Sequence, residues 1–138
     1  MMINAEIADT MVRMAREAKE KAYVLYSGIS AGACALASDG TLYGGCNIEN
    51  ASYGLSCCAE RVAIYKGIAD AKDEFDAVAI VKDTDDLPMP CGACLEVMAE
   101  FGIENIVSAN LHGDMKLMQL RDLLPGSQSM KQNDKEAW

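Results

Sequence analysis

The chain has 138 residues, of which 51% are hydrophobic and 24% are charged, which fits a folded domain and excludes wholesale disorder. Its net charge is −9, with 12 Lys and Arg against 21 Asp and Glu, so we expect neither a nucleic acid nor an anionic membrane as its partner. No signal peptide and no apolar stretch of about 18 residues stands out. We therefore expect a single cytoplasmic domain over residues 1–138, with residues 126–138 as a polar tail.

The first half of the chain predicts a helix and then a pair of strands. Residues 5–22 carry apolar side chains at helical spacing with charges between them, as in an amphipathic helix. Residues 30–37 are small and apolar, and residues 41–46 follow the pair Asp39-Gly40, which is typical of a β-hairpin turn. Residues 47–57 are rich in Asn, Ser and Gly and predict an irregular segment.

Helices and strands alternate in the second half. The pattern predicts a helix over 59–68, a strand over 75–81, a helix over 91–101 and a strand over 105–109. The pattern of residues 116–124 fits either a helix or a strand, and Pro125 ends this segment. Strands that alternate with helices over one sheet predict an α/β sandwich.

Six cysteines in a chain expected to be cytoplasmic indicate metal binding or thiol chemistry rather than disulfides. Three of them lie in two motifs, Cys58-Ala59-Glu60 and Pro90-Cys91-Gly92-Ala93-Cys94. Each motif opens a predicted helix, and the positive end of a helix lowers the pKa of a nearby thiol. Thiolates suit zinc, three protein ligands leave a fourth position for water, and Glu60 lies close enough to exchange protons with that water. The only histidine, His112, lies in neither motif, so the predicted zinc ligands are Cys58, Cys91 and Cys94, with Glu60 as catalytic acid and base.

Each part of this pattern also has a simpler explanation. A C-x-x-C pair can be a redox pair or half of a structural zinc site, and Cys58 alone would be a buried apolar residue. Glu60 alone would be a favourable acid in the first turn of a helix. A structural site normally has four protein ligands, for which Cys57 is the only nearby candidate, and the joint occurrence favours a catalytic zinc site. We interpret Cys34, Cys46 and Cys57 as small core or hairpin residues.

Three segments together resemble the cytidine deaminases of the small homotetrameric form. They are residues 45–54 (Gly-Cys-Asn-Ile-Glu-Asn-Ala-Ser-Tyr-Gly), Cys58-Ala-Glu-Arg61 and Pro90-Cys-Gly-Ala-Cys94. The last two have the known signature of the zinc-dependent nucleobase deaminases. The resemblance runs from about residue 22 to residue 125. It implies a three-layer α/β/α sandwich with a mixed sheet, one Zn²⁺ per subunit, a nucleoside substrate and a homotetramer with shared active sites.

The resemblance also implies roles for residues around the metal. Asn47 and Glu49 match a pair that holds the ribose hydroxyls, which an amide and a carboxylate can do together. Taken alone, these two would be turn residues. Ala51 and Ala59 match positions whose backbone groups bind the base, and Tyr53 matches a tyrosine offered across a subunit interface.

Arg61 matches an arginine that hydrogen-bonds the sulfur ligands. Three thiolates exceed the charge of Zn²⁺ by one, and a nearby cation offsets that excess. Taken alone, Arg61 would be an exposed helix residue.

The chain departs from the family at the walls of the base pocket. Leu25, Ile29 and Ala31 stand where the family usually has proline, phenylalanine and valine, and Gln128 stands where it tends to have an aromatic residue. Aromatic stacking contributes about 0.5–1.5 kcal/mol beyond area burial, so affinity for plain cytidine falls if these walls are lost. A roomier pocket, partly lined by Ile29, motivates the hypothesis that cytidines with a bulkier exocyclic substituent are turned over relatively better.

The sequence predicts hydrolytic deamination of cytidine and deoxycytidine to uridine and deoxyuridine in pyrimidine salvage. The alternative is a deaminase of a modified or isomeric cytosine nucleoside, such as an N4-substituted cytidine or blasticidin S. An inactive zinc-stabilised binding module is less favoured, because Glu60 is present.

Overall fold

The computed structural model describes residues 3–127, in which helices and strands alternate along most of the chain. They are α1 (Ala5–Lys19), β1 (Ala31–Ala37), β2 (Leu42–Cys46), α2 (Ala59–Ala69), β3 (Phe75–Lys82), α3 (Gly92–Glu100), β4 (Asn105–Asn110), β5 (Met115–Gln119) and α4 (Leu120–Leu123). A 3-10 turn over Tyr53–Leu55 lies in the irregular segment between β2 and α2.

Among the residues described, no helix has the length and apolar character needed to cross a membrane. Gln128, expected at the base pocket, lies outside the described residues.

The strands form one mixed sheet in the order β2-β1-β3-β4-β5. β3 and β4 are parallel, and every other neighbouring pair is antiparallel. The side chains of α1 pack on one face of the sheet, and those of α2 and α3 pack on the other. The predicted three-layer α/β/α sandwich is therefore confirmed.

Small residues let the two flanking helices lie directly on the sheet. β1 reads Ala-Gly-Ala-Cys-Ala-Leu-Ala and is buried along its whole length. A Cβ at Gly32 would lie 1.8 Å from the carbonyl oxygen of Ala15 in α1. On the other face, a Cβ at Gly45 would lie 2.5 Å from the Ala63 nitrogen and 2.6 Å from the Ala59 oxygen of α2. Gly45 thus sets the position of α2, which begins directly after Cys58.

Two segments differ from the sequence prediction. The first helix ends at Lys19 rather than at residue 22, because the N–H groups of Lys21 and Ala22 turn back to carbonyls three residues earlier. The ambiguous residues 116–124 divide into a strand and a short helix, β5 and α4. β5 contains no β-branched residue, so its pairing with β4 rather than its own propensity makes it a strand. The hairpin turn at Asp39-Gly40 is confirmed, with Gly40 at a φ of +94°.

β2 and β5 form the two edges of the sheet. On β2, the Lys66 ammonium group reaches across from α2 and donates a hydrogen bond of 2.6 Å to the Gly44 carbonyl oxygen. This contact ties the outer strand to the helix above it.

The packing of β2 against α2 generates the first prediction. Gly45→Ala should lower the free energy of unfolding by about 1–3 kcal/mol, because the added methyl group meets backbone atoms that move only with the whole helix. Urea unfolding at one protein concentration measures the change.

The neighbouring glycine supplies a matched control. A Cβ at Gly44 would lie 3.4 Å from the side-chain Cγ of Met14, which is ordinary contact, so Gly44→Ala should change stability by less than about 0.5 kcal/mol. Equal losses in the two variants would contradict the proposed close approach.

Candidate metal centre and surrounding site

The sulfur atoms of three cysteines meet where two helices begin. Cys58 is the N-cap residue of α2 and Cys91 is the N-cap residue of α3, but neither side chain caps its helix. Asn4 shows the usual alternative, since its side-chain oxygen accepts the N–H of Ile7 at 2.8 Å in α1. The two thiols instead face each other and the buried Cys94 in the first turn of α3.

This cluster has the dimensions of a zinc site. The sulfur atoms of Cys58 and Cys91 lie 3.7 Å apart and those of Cys91 and Cys94 lie 3.4 Å apart. Tetrahedral zinc with bonds of about 2.3 Å holds its sulfur ligands about 3.8 Å apart, so small movements suffice. Within residues 3–127 this is the one cluster of three or more such ligands, and its composition fits one Zn²⁺ with a fourth position open.

The cluster is electrostatically prepared for thiolate ligands. A hydrogen bond from the Cys94 thiol lowers the pKa of Cys58 to about 5, and contacts with Arg61 and Cys91 act in the same direction. The same hydrogen bond to Cys58, together with burial, raises the pKa of the Cys94 thiol, which donates the proton. Nη2 of Arg61 donates to the Cys58 sulfur at 3.6 Å, as expected of the residue that offsets the excess thiolate charge. Metal binding to this cluster releases protons, because every ligand must be a thiolate.

Glu60 lies in the first turn of α2 and is only 5% exposed. Burial raises the pKa of its carboxyl group, and the negative charge of Cys58 acts in the same direction. The positive charge of Lys82 opposes both effects. A buried carboxyl group with a raised pKa is suited to take up a proton and release it again near neutral pH.

Lys82 is a site residue that the motifs do not predict. It ends β3, and its register partners are Ala31 on β1 and Asn110 on β4, so all three side chains lie on the face covered by α2 and α3. The lysine is half-buried and forms no salt bridge within residues 3–127. The available signal was a lysine directly after the apolar run of residues 77–81.

The two residues expected at the ribose hold a loop of the same chain. The side-chain oxygen of Asn47 accepts the Ala31 N–H at 2.9 Å, and its NH₂ group donates to the Ile29 carbonyl oxygen at 2.9 Å. The Glu49 carboxylate accepts hydrogen bonds from the backbone and the hydroxyl group of Ser27. The structure thus brings Asn47, Glu49 and Ile29 together in one network.

This network adjoins the metal cluster through a pair of backbone hydrogen bonds. Ile48 and Cys57 exchange N–H to carbonyl bonds, each of 2.9 Å, one residue before the first zinc ligand. Ala59 is fully buried at the start of α2, whereas Ala51 is exposed. Tyr53 is 92% exposed, so its ring touches little of its own chain.

The other three cysteines do not belong to the three-sulfur cluster. Cys34 is fully buried on β1, and burial raises the pKa of its thiol to about 12. Cys46 is half-buried at the end of β2. Cys57 is half-buried, and burial raises the pKa of its thiol as well.

Known proteins are similar to this chain in sequence and in fold. The family described as "Cytidine and deoxycytidylate deaminase zinc-binding region" matches residues 5–110. A cytidine deaminase of Sporosarcina psychrophila is 44% identical over 121 residues, which cover 86% of this chain and 89% of that protein. The crystal structure of a cytidine deaminase from Burkholderia pseudomallei has a TM-score of 0.83 and 39% identity, covering 91% of this chain and 99% of its own. With the family match extending from α1 to the end of β4, the chain belongs to the cytidine and deoxycytidylate deaminase family.

Proposed function

We propose that this chain catalyses the hydrolytic, zinc-dependent deamination of cytidine and deoxycytidine to uridine and deoxyuridine. The observation that carries the proposal is the three-sulfur cluster at two helix N-termini beside a buried carboxyl group, Glu60. The relatives at 43–44% identity are named cytidine deaminases and are matched over 89–90% of their length, which supports the same reaction here.

Cys58, Cys91 and Cys94 would hold the zinc ion, which lowers the pKa of a water molecule and so supplies a nucleophile near neutral pH. Glu60 carries the protons. Its carboxylate takes one proton from the attacking water and delivers it to N3 of the cytosine ring, while the water oxygen bonds to C4. Glu60 then passes the second water proton to the amino group, the C4–N4 bond breaks, and ammonia leaves.

Asn47 and Glu49 have hydrogen-bonding capacity left for a sugar. The Asn47 amide uses one of its two N–H donors and one lone pair of its oxygen within the chain. The Glu49 carboxylate accepts three hydrogen bonds of about four that it can take. One donor and two acceptor positions therefore stay available, which supports their assignment to the ribose hydroxyls.

Ile29 favours a second candidate substrate. Its side chain is 59% exposed on the loop that faces Asn47, and it replaces the larger aromatic ring that the family resemblance implies at this place. The space left at this wall would admit a substituent on the exocyclic nitrogen of cytosine. The second candidate is therefore an N4-substituted cytidine, acted on by the same metal centre.

We place this activity in the cytoplasm and in pyrimidine salvage. The six cysteines of the chain are all free, and three of them must stay reduced to bind zinc, which fits a reducing compartment. Returning cytidine to the uridine pool is the role that the substrate implies.

We also propose a homotetramer with shared active sites. Large apolar side chains are exposed along residues 23–55, with exposed fractions between 45% and 92%: Tyr23, Leu25, Tyr26, Ile29, Ile48, Tyr53 and Leu55. So many exposed apolar side chains within one part of the chain support a site of protein association there. Tyr53, the most exposed of them, is the residue expected to reach a neighbouring active site.

The acid–base role of Glu60 is tested by removing its ability to ionise. Glu60→Gln should reduce kcat for cytidine by about 10²–10⁴-fold while the protein keeps one zinc per chain. Turnover is followed by ultraviolet absorbance with cytidine, deoxycytidine and N4-methylcytidine, and zinc by elemental analysis.

Glu96→Gln is the control, since Glu96 is an exposed acid on α3. A Glu60→Gln protein that deaminates cytidine at the wild-type rate would overturn the mechanism. Turnover of N4-methylcytidine without turnover of cytidine would favour the second candidate.

Lys82 generates a prediction about pH. Burial raises the pKa of Glu60 and the Lys82 charge lowers it, so Lys82→Met should raise this pKa further. Because the carboxylate must be ionised to take a proton, the acid limb of the kcat/KM profile should move to higher pH. Lys82→Arg keeps the charge and should leave the limb in place. An acid limb at the same pH in Lys82→Met would show that the lysine charge does not reach the carboxyl group.

The assembly is tested by sedimentation equilibrium. The native protein should have about four times the chain mass of 14.8 kDa, and Tyr53→Ala should weaken that assembly. Met115→Ala serves as the control, because it changes an exposed apolar residue on β5, the edge strand on the other side of the sheet from β2. A monomer at micromolar concentration would contradict both the tetramer and the role of Tyr53.

A further inference from the structure

The segment between α1 and β1 is held by hydrogen bonds rather than by burial. Its large side chains are mostly in solvent, with Leu25 71% exposed and Tyr26 and Ile29 each 59% exposed. The backbone turns at Gly28, which has a φ of +71°. Within the chain itself, apolar packing therefore contributes little to its shape, and polar contacts with the segment around Asn47 and Glu49 define it.

Ser27 lies at the centre of these contacts. Its N–H and that of Tyr26 each donate to Oε1 of Glu49 at 3.0 Å. Its hydroxyl group donates to the other oxygen, Oε2 of Glu49, at 2.5 Å. The same hydroxyl oxygen accepts the N–H of Ile29 at 3.0 Å. One hydroxyl group thus connects a carboxylate to a peptide two residues further along the loop.

The Ile29 residue is fixed on both sides by this arrangement. Its N–H is held by Ser27, and its carbonyl oxygen accepts from the NH₂ group of Asn47 at 2.9 Å. Asn47 and Glu49 are the residues assigned above to the sugar, and Ile29 is the one assigned to the base. The residues assigned to the sugar and to the base therefore share a single hydrogen-bonded network, which Ser27 connects.

We propose that Ser27 is a positioning residue that fixes the Glu49 carboxylate for the 3′-hydroxyl group of the nucleoside and couples that contact to Ile29 at the base. The inference rests on the proposed function, because it takes Glu49 as a ribose ligand. Two backbone N–H groups hold Oε1 of Glu49 and stay in place in Ser27→Ala, whereas the Ser27 hydroxyl is the donor to Oε2, so without this hydroxyl Oε2 loses its fixed position. The same change leaves the Ile29 N–H without its acceptor.

The charge state of Glu49 agrees with this role. The hydrogen bonds from the hydroxyl and N–H groups of Ser27 lower the pKa of the carboxyl group. Glu49 is then ionised at neutral pH and acts only as an acceptor. A sugar hydroxyl must therefore donate to it, and a 3′-deoxy sugar lacks the 3′-hydroxyl group while it keeps those at 2′ and 5′.

The test compares two sugars in zinc-loaded protein. For cytidine, Ser27→Ala should raise KM about tenfold with kcat changed less than about twofold, as expected for a hydrogen bond to a charged group. For 3′-deoxycytidine only the effect through Ile29 is left, so KM should change less than about twofold and the preference for the 3′-hydroxyl should fall about fivefold or more. Ser27→Thr keeps the hydroxyl group and should restore the preference to within about threefold of wild type.

Two controls separate positioning from loss of structure. Ser30→Ala removes a hydroxyl group from the same segment and should leave both substrates unaffected. Circular dichroism and zinc content should be unchanged in Ser27→Ala. A Ser27→Ala protein that loses activity equally with both sugars would overturn the inference, as would one that keeps the full preference for cytidine.

A binding measurement distinguishes this inference from the proposed function. Dissociation constants of uridine and 3′-deoxyuridine, measured by calorimetry, need no turnover. A wild-type protein that binds uridine but deaminates no cytidine would refute the proposed function, while the Ser27→Ala binding ratio would still decide the inference. A wild-type protein without preference for uridine over 3′-deoxyuridine would overturn the inference alone, if cytidine is turned over.

Discussion

Two helix N-termini converge at one end of the sheet, and the sulfur atoms of their N-cap residues, Cys58 and Cys91, lie 3.7 Å apart. The chemistry of the site depends on this convergence, because a metal ion bridges the helices only at such a distance. The packing of α2 and α3 on the sheet holds the two N-termini at this distance. α2 cannot approach or retreat freely while its backbone rests on Gly45, and α3 follows from the parallel connection between β3 and β4. The metal centre is therefore a product of packing as much as of its ligands.

Charged side chains lie around the three-sulfur cluster: two cations, Arg61 and Lys82, and one buried acid, Glu60. Arg61 touches the Cys58 sulfur, and Lys82 acts on the buried Glu60 from the sheet below. The two cations serve different partners, since one offsets the excess charge of the sulfur ligands and the other favours the carboxylate. Nearby, Glu49 lies in a more open setting, where donors from a loop keep it ionised. The surroundings thus shift the pKa values of these two carboxyl groups in opposite directions: burial suits Glu60 to proton transfer, and hydrogen bonds keep Glu49 an ionised acceptor.

The parts of this site that could be predicted are local in sequence. Cys91 and Cys94 lie one helical turn apart, and Glu60 follows its ligand by two residues, so spacing alone relates them. The rest depends on contacts between distant segments. Ser27 meets Glu49 across 22 residues, and the lysine of β3 joins the site through strand register. The fold shows the same division, since the long apolar strands follow from composition, whereas β5 exists only through its pairing with β4.

The bond from Lys66 to the Gly44 carbonyl oxygen has a consequence for how copies of this chain can meet. An outer strand with open main-chain groups invites a strand from another molecule to extend the sheet, and a lysine on that strand's border is a known deterrent. Here the Lys66 ammonium group donates a hydrogen bond of 2.6 Å to the Gly44 carbonyl oxygen of β2. An incoming strand would therefore have to displace a charged group as well as water. Continuous sheets across molecules, and the fibrous growth they permit, are disfavoured at this border. Any association of two copies at this border is thereby directed to side-chain surfaces, which can be closed and finite.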